Sequence, residues 1–265
     1  MPEPVRLTPS LRERVWGRTR LAPWFPDADR PTGEAWYLSE CDLPLLVKLI
    51  FTSERLSVQV HPDDGEDGPR GKTEMWHILD AEPGATIALG FREPITRERL
   101  WELTRTGEVE EFLNWVPVKA GETYFTPAHT VHAIGAGIVL AEIQQNSDVT
   151  YRLWDYGRPR EIHVDKAVPL CDLDVHPGAC KPVAISEGRE ELVRSKHFVT
   201  ELVRVGAGEC ISVEPQGCHL WIVLEGSGCI GDKGFVTGEV WHVPGTSTIR
   251  AAAGDCRFLR TWAPK

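Results

Sequence analysis

The feature that most restricts the fold is a succession of short β-prone segments cut repeatedly by 24 Gly and 20 Pro. Proline removes a backbone donor and clashes in helix interiors, while glycine weakens both helix and strand interiors. A chain punctuated in this way cannot sustain long helices. Short strand-like runs between turn signals specify a sandwich or barrel. The length of 265 residues allows one large all-β domain or two smaller ones, and ten tryptophans supply large apolar surfaces for burial. The expected fold class is all-β.

A net charge of −10 without a basic stripe argues against a nucleic-acid partner. It leaves room for a phosphorylated small molecule held by a few local cations. No apolar run approaches the ~18 residues of a membrane span, and the N-terminus lacks a signal-peptide core, so a cytoplasmic protein without membrane contact is expected. Seven cysteines form no CxxC pair and are odd in number, which fits reduced structural thiols.

Taken in order, residues 1–40 read as an irregular leader broken by Pro23, Pro26 and Pro31, with a short strand at 33–39. Residues 43–51 (LPLLVKLIF) fit a core strand. The next run alternates Ser57, Gln59 and His61 with Leu56, Val58 and Val60, which sends the polar set to one strand face. An acidic Gly/Pro loop leads to a further strand with Glu74, Trp76 and His77. Ile95, Leu100, Leu103, Phe112, Leu113 and Val116 recur at helical spacing, predicting a helical insert over about 95–116. Strands then resume and carry His132, Glu142 and Arg152. The Pro-rich stretch near 156–182 marks a boundary between residues 1–165 and residues 166–265.

The two parts echo each other. Glu74-Met75-Trp76 is matched by His219-Leu220-Trp221, and Gly121-Glu122 through Pro127 by Gly238-Glu239 through Pro244. A duplicated jelly roll is expected, with metal-type residues only in the first copy.

Gln59, His61, Glu74 and His132 offer two imidazoles, a carboxylate and an amide oxygen, a donor set suited to Zn²⁺. The bland alternatives are a strand-end cap for His61 and ion pairing of Glu74 with Lys72. His129 is an alternative ligand to His132, and His77 should face away from the site. His163, His176, His197, His219 and His242 read as surface or packing residues. Lys72, Glu142 and Arg152 are either cross-strand ion pairs or a phosphate clamp with an acid–base group.

These residues carry a family resemblance. Gln59-Val60-His61-Pro62-Asp63-Asp64, Gly71-Lys72-Thr73-Glu74-Met75-Trp76 and Pro127-Ala128-His129-Thr130-Val131-His132 resemble the short bacterial type I mannose-6-phosphate isomerases of the cupin superfamily. Glu142-Ile143-Gln144-Gln145-Asn146 and Thr150-Tyr151-Arg152-Leu153-Trp154-Asp155 extend the match, which covers roughly residues 14–168. The resemblance implies two cupin-like jelly rolls, the second metal-free, and one zinc ion per chain on Gln59, His61, Glu74 and His132. It implies that Arg152 is the catalytic arginine and that Lys72, Ser57 and Glu142 line the pocket. The implied reaction interconverts mannose 6-phosphate and fructose 6-phosphate through a cis-enediol, with Glu142 or Lys72 as base. Arg152 or Lys72, with Ser57, would bind the phosphate. The alternatives are an isomerase or epimerase of another sugar phosphate and a non-catalytic sugar-binding cupin. A monomer or weak homodimer is expected. Tyr37 and His77 depart from the family pattern in segments expected close to the site, His77 with its side chain turned away from the metal.

Overall fold

The computed structural model describes residues 3–214 and 219–264. Its strands form four antiparallel sheets of six, five, seven and four strands. The layers stack in the order five, six, seven, four, because each adjacent pair shares a core. Trp76, Ile78 and Leu140 of the six-stranded sheet pack against Ile87, Leu89 and Ile134 of the five-stranded one. Val47, Leu49 and Phe51 on its other face pack against Leu202, Leu220 and Leu259 of the seven-stranded sheet. Val203, Trp221 and Phe258 then face Ile230, Phe235 and Ile249 of the four-stranded sheet. Residues 43–51 read as nearly continuously apolar because their strand, Leu45–Phe51, is buried on both faces.

The two inner sheets have matching orders. In one, the strands run Thr8–Arg18, Thr32–Leu38, Leu45–Phe51, Ile138–Gln145, Glu74–Ala81 and Thr123–Thr126. In the other they run Val183–Ser186, Arg189–Arg194, Val199–Val205, Cys256–Trp262, His219–Glu225 and Val240–Val243. The short strand Val5–Arg6 adds to the edge of this second set beside Val240–Val243. An all-β, duplicated architecture is therefore observed.

The leader is not irregular. Thr8–Arg18 is an 11-residue edge strand paired with Thr32–Leu38. Pro9 is tolerated there because an edge strand has one side without ladder bonds. Its pattern is inverted: Leu11 and Val15 point to solvent, while Arg12, Arg14 and Trp16 line a cavity. Polar residues inward and apolar residues outward gave no recognisable core periodicity.

The expected insert over 95–116 contains two helices, Arg97–Thr106 and Val109–Phe112, but ends as the strand Leu113–Pro117 paired with Thr86–Phe91. Thr96 Oγ1 caps the first helix by accepting from Arg99 N, and Gly107 ends it with φ 83°. Leu100 and Leu103 bury against the outer face of the five-stranded sheet. A third helix, Val164–Leu170, lies in the Pro-rich stretch near 156–182 and packs on the same face. Six free cysteines are found among the described residues, and Cys218 lies outside them. Among the described residues no helix is long and apolar enough to cross a membrane.

Candidate metal centre and active site

Between the six- and five-stranded sheets lies a cavity of about 280 Å³. The strand Glu74–Ala81 turns Glu74 and Trp76 into it, and Ile138–Gln145 contributes Glu142. His132 opens the strand His132–Ile134, opposite Gln59 of Val58–Val60. Arg152 sits in register with Gln59 on its other side. Two sheets thus deliver residues separated by up to 93 positions (59 to 152) to one place.

His61, Glu74 and His132 form a group whose donor atoms all lie within 4.8 Å of one another. His61 Nε2 is 3.5 Å from Glu74 Oε2, and His132 Nε2 is 3.5 Å from Glu74 Oε1. The Nδ1 atom of His61 is 3.0 Å from Val149 O, and that of His132 is 2.8 Å from Thr130 O. A carbonyl oxygen only accepts, so both Nδ1 atoms donate and each Nε2 presents a lone pair to the cluster. Burial and then the Lys72 charge hold His61 well below its ordinary value and bring His132 down to about 4. Both imidazoles are neutral at pH 7, as ligation requires. Burial and then the Glu142 charge push the Glu74 carboxyl up, a shift that a bound cation reverses. Two oriented imidazoles and a carboxylate fit a borderline divalent metal such as Zn²⁺.

Lys72 is drawn into the same group. Its Nζ is hydrogen-bonded to Glu74 and lies 2.9 Å from His61 Nε2. Burial opposes its charge, but Glu74 and Glu142 outweigh burial and raise its pKa. Lys72 is therefore an ammonium donor in this arrangement. Gln59 lines the cavity, its amide donating to Ser57 Oγ at 2.9 Å.

Glu142 is the second buried carboxylate. Register places it between Lys48 and Trp76 on neighbouring strands. Lys48 Nζ donates to Glu142 Oε1 at 2.8 Å and also to Gln144, and Trp76 Nε1 donates to Glu142 Oε2 at 3.2 Å. Burial raises this carboxyl, yet Lys48 and Lys72 outweigh burial and hold it well below the usual range. Glu142 is ionised wherever the protein is folded near neutrality.

The cavity wall carries four arginines. Arg160 is committed to Asp155 through bonds of 2.6 and 2.7 Å, and Arg14 to Glu34 at 2.6 Å. Arg12 stacks over Trp36 at 3.7 Å. Among the described residues the Arg152 side chain keeps a buried Nε without a hydrogen-bond partner and makes one 3.5 Å contact, to Glu161 O.

Ser57, Gln59, Lys72, Glu74, His132, Glu142 and Arg152 all line the cavity, while His61 joins the donor cluster without lining it. His129 does not take part: it turns outward and binds Glu66 at 2.7 Å. Tyr37 and His77 are not beside the site. Strand alternation puts both on the opposite face, where Tyr37 donates to Gly238 O and His77 Nδ1 lies 2.9 Å from Thr123 Oγ1. Sequence reading missed Lys48, Glu34, Trp36, Arg12, Arg14 and Arg160. The lone charge of Lys48 inside LPLLVKLIF was the available signal.

A jelly-roll pocket with a His–Glu–His donor set beside it and cations on its wall defines a cupin with a candidate metal site. No family model matches the chain. The probable mannose-6-phosphate isomerase GmuF of Bacillus subtilis is 31% identical over 98% of this chain and 99% of that protein. A mannose-6-phosphate isomerase of Streptococcus mutans is 32% identical, covering 87% of each. The crystal structure of the Bacillus subtilis mannose 6-phosphate isomerase superposes with a TM-score of 0.86 at 27% identity, covering 98% of this chain and 100% of that one. The chain belongs to the mannose-6-phosphate isomerase family.

Proposed function

We propose that the chain is an aldose–ketose isomerase interconverting mannose 6-phosphate and fructose 6-phosphate, with one Zn²⁺ held by His61, Glu74, His132 and Gln59. The observation that carries the reading is the convergence of two Nε2 lone pairs and one carboxylate beside a cavity that also holds an ionised Glu142 and a protonated Lys72. A zinc ion bound there supplies Lewis-acid polarisation of the sugar oxygens and stabilises developing negative charge. A structure with a TM-score of 0.77, 17% identical to this chain over 98% of it, is of a mannose 6-phosphate isomerase bound with zinc and yttrium, which supports the choice of metal.

The chain's own residues account for the proton movements. The open-chain sugar lies with C1 and C2 between Glu142 and Lys72. Glu142, ionised and desolvated, removes the C2 proton and returns it to C1. A proton passes in the same turnover from O2 to O1, and the Lys72 ammonium hydrogen-bonds the oxygen that carries charge in between. Lys72 is the weaker candidate for base because Glu74 and Glu142 keep it protonated. Arg152 adds a guanidinium from the facing sheet, with Ser57 at the cavity wall. Both are assigned to the phosphate and to the charge of the enediolate.

A coupled assay for fructose 6-phosphate formed from mannose 6-phosphate tests the reading directly. Turnover is expected from the metal-loaded protein and is expected to vanish on chelation. The His132→Ala variant should lose bound zinc and turnover together. Full turnover in either metal-free case would overturn the metal-centred reading.

A further inference from the structure

The match between the six- and seven-stranded sheets extends to their registers. In the first, Glu142 lies opposite Lys48 on one side and Trp76 on the other. At the equivalent place in the second, Arg260 lies opposite Glu201 and Trp221. The tryptophan is kept, while the acid and the base have exchanged positions. Arg260 is only 8% exposed. Its guanidinium carbon lies 5.6 Å from the Trp221 ring centroid, and its Nη1 is 3.5 Å from Glu201 Oε2. Arg189 Nη2 donates to that same oxygen at 2.7 Å. One carboxylate serves two guanidiniums, and Arg260 also donates from Nε and Nη2 to His219 Nδ1 at 3.3 and 3.1 Å and from Nη2 to Glu214 O at 3.1 Å.

The exchange strands a donor. Trp76 Nε1 has Glu142 as its acceptor, but the Nε1 of the buried Trp221 has no hydrogen-bond partner among the described residues. Trp221, Arg189 and Arg260 line a cavity of about 310 Å³, comparable to the first. Ser186 and Ser212 add hydroxyl-bearing residues to its lining. Arg204, also on the wall, is paired with Glu190 at 2.6 Å, and Glu187 is the one acid among the lining residues described.

We infer that this cavity is a second ligand site, for the phosphate group of a small phosphorylated molecule. A buried N–H without an acceptor is costly, and an oxyanion placed beside it removes that cost. Among the described residues Arg189 gives only Nη2 to a protein acceptor, Glu201, so the remaining donors of its guanidinium fork are free for a ligand in the half-enclosed cavity. A phosphate offers several acceptor oxygens to such a set. The volume exceeds that of the phosphate group and accommodates an organic part. The strand Ser247–Ala251, which corresponds to His132–Ile134, brings no histidine to this cavity.

The test uses the indole N–H resonances of the whole ¹⁵N-labelled protein. Trp221→Phe identifies the Trp221 signal by its loss. Titration with inorganic phosphate, against sodium chloride at matched ionic strength, should move that signal saturably. Arg189→Ala should weaken the apparent affinity by at least ~10-fold, as for loss of a charge-assisted contact. Arg152→Ala, in the first cavity, should leave the response unchanged. Should Arg189→Ala lose its native near-ultraviolet circular dichroism, Arg189→Lys takes its place, keeping charge while losing the fork. A Trp221 signal that does not saturate, or one that responds equally with and without Arg189, overturns the proposal. The readout involves no turnover, so it stands or falls apart from the isomerase reading.

Discussion

Arg152 and Lys48 illustrate two different ways in which a cation can serve one cavity. Arg152 has no carboxylate partner among the described residues and one buried, unpartnered Nε, so its charge is available to a ligand. Arg152→Ala is expected to keep the fold and the bound zinc while turnover drops by at least ~10²-fold, as for loss of a transition-state charge. Metal content measured beside kcat checks it, and unchanged turnover removes Arg152 from the chemistry. Lys48 is instead spent on protein groups, Glu142 and Gln144. Lys48→Met leaves Glu142 buried without its principal cation, which should cost about 3 kcal/mol in denaturant unfolding. It should also raise the Glu142 carboxyl, because Lys48 is the largest influence holding it down. A base that must be ionised then fails at higher pH, so the acid limb of the rate profile should move upward. An acid limb that stays in place would mean that Glu142 is not the base.

At the level of elements, caps and face alternation decide how the helices and strands present these residues. The helix Arg97–Thr106 stops at Gly107, whose φ of 83° disfavours a side chain. A Cβ there would also stand 2.7 Å from the Trp154 ring, on the strand that carries Arg152. Gly107→Ala should therefore cost roughly 1–3 kcal/mol, read as a lower denaturation midpoint. Much of this level was legible in the sequence. Alternation of Ser57, Gln59 and His61 showed a polar face, and the Gly-Glu-to-Pro echo showed the duplication, because both are local patterns of period two or fixed spacing. The edge strand Thr8–Arg18 was not legible, since its inward face is Arg12, Arg14 and Trp16 and its outward face holds Leu11 and Val15. Hydrophobic patterning identifies a face turned to a core and inverts where the strand faces a polar cavity. Lys48 escaped for the converse reason: its strand is apolar on both faces apart from that one charge. The pairing of Glu142 with Lys48 is a register relation between strands more than 90 residues apart, and no local pattern encodes it.

Across the whole molecule, stacking four sheets buries the inner two on both faces and carries histidines into layers where they cannot be charged. His77 is one such case, on the strand face turned away from Glu74. It is 1% exposed, and burial, followed by the Arg257 charge, brings its pKa down from 6.5 to about 4. Between those values the unfolded chain binds a proton at this position that the folded protein does not. Stability contributed by neutral His77 is thus complete above about pH 6.5 and is lost as pH falls toward 4. The lowering corresponds to at most about 3 kcal/mol. Urea unfolding at a series of pH values should show wild-type stability declining across this window. His77→Gln, which retains a partner for Thr123, should decline less steeply by up to that amount. Parallel curves for the two proteins would mean that His77 is charged in the folded state, and the dry layer between the six- and seven-stranded sheets would have to admit water.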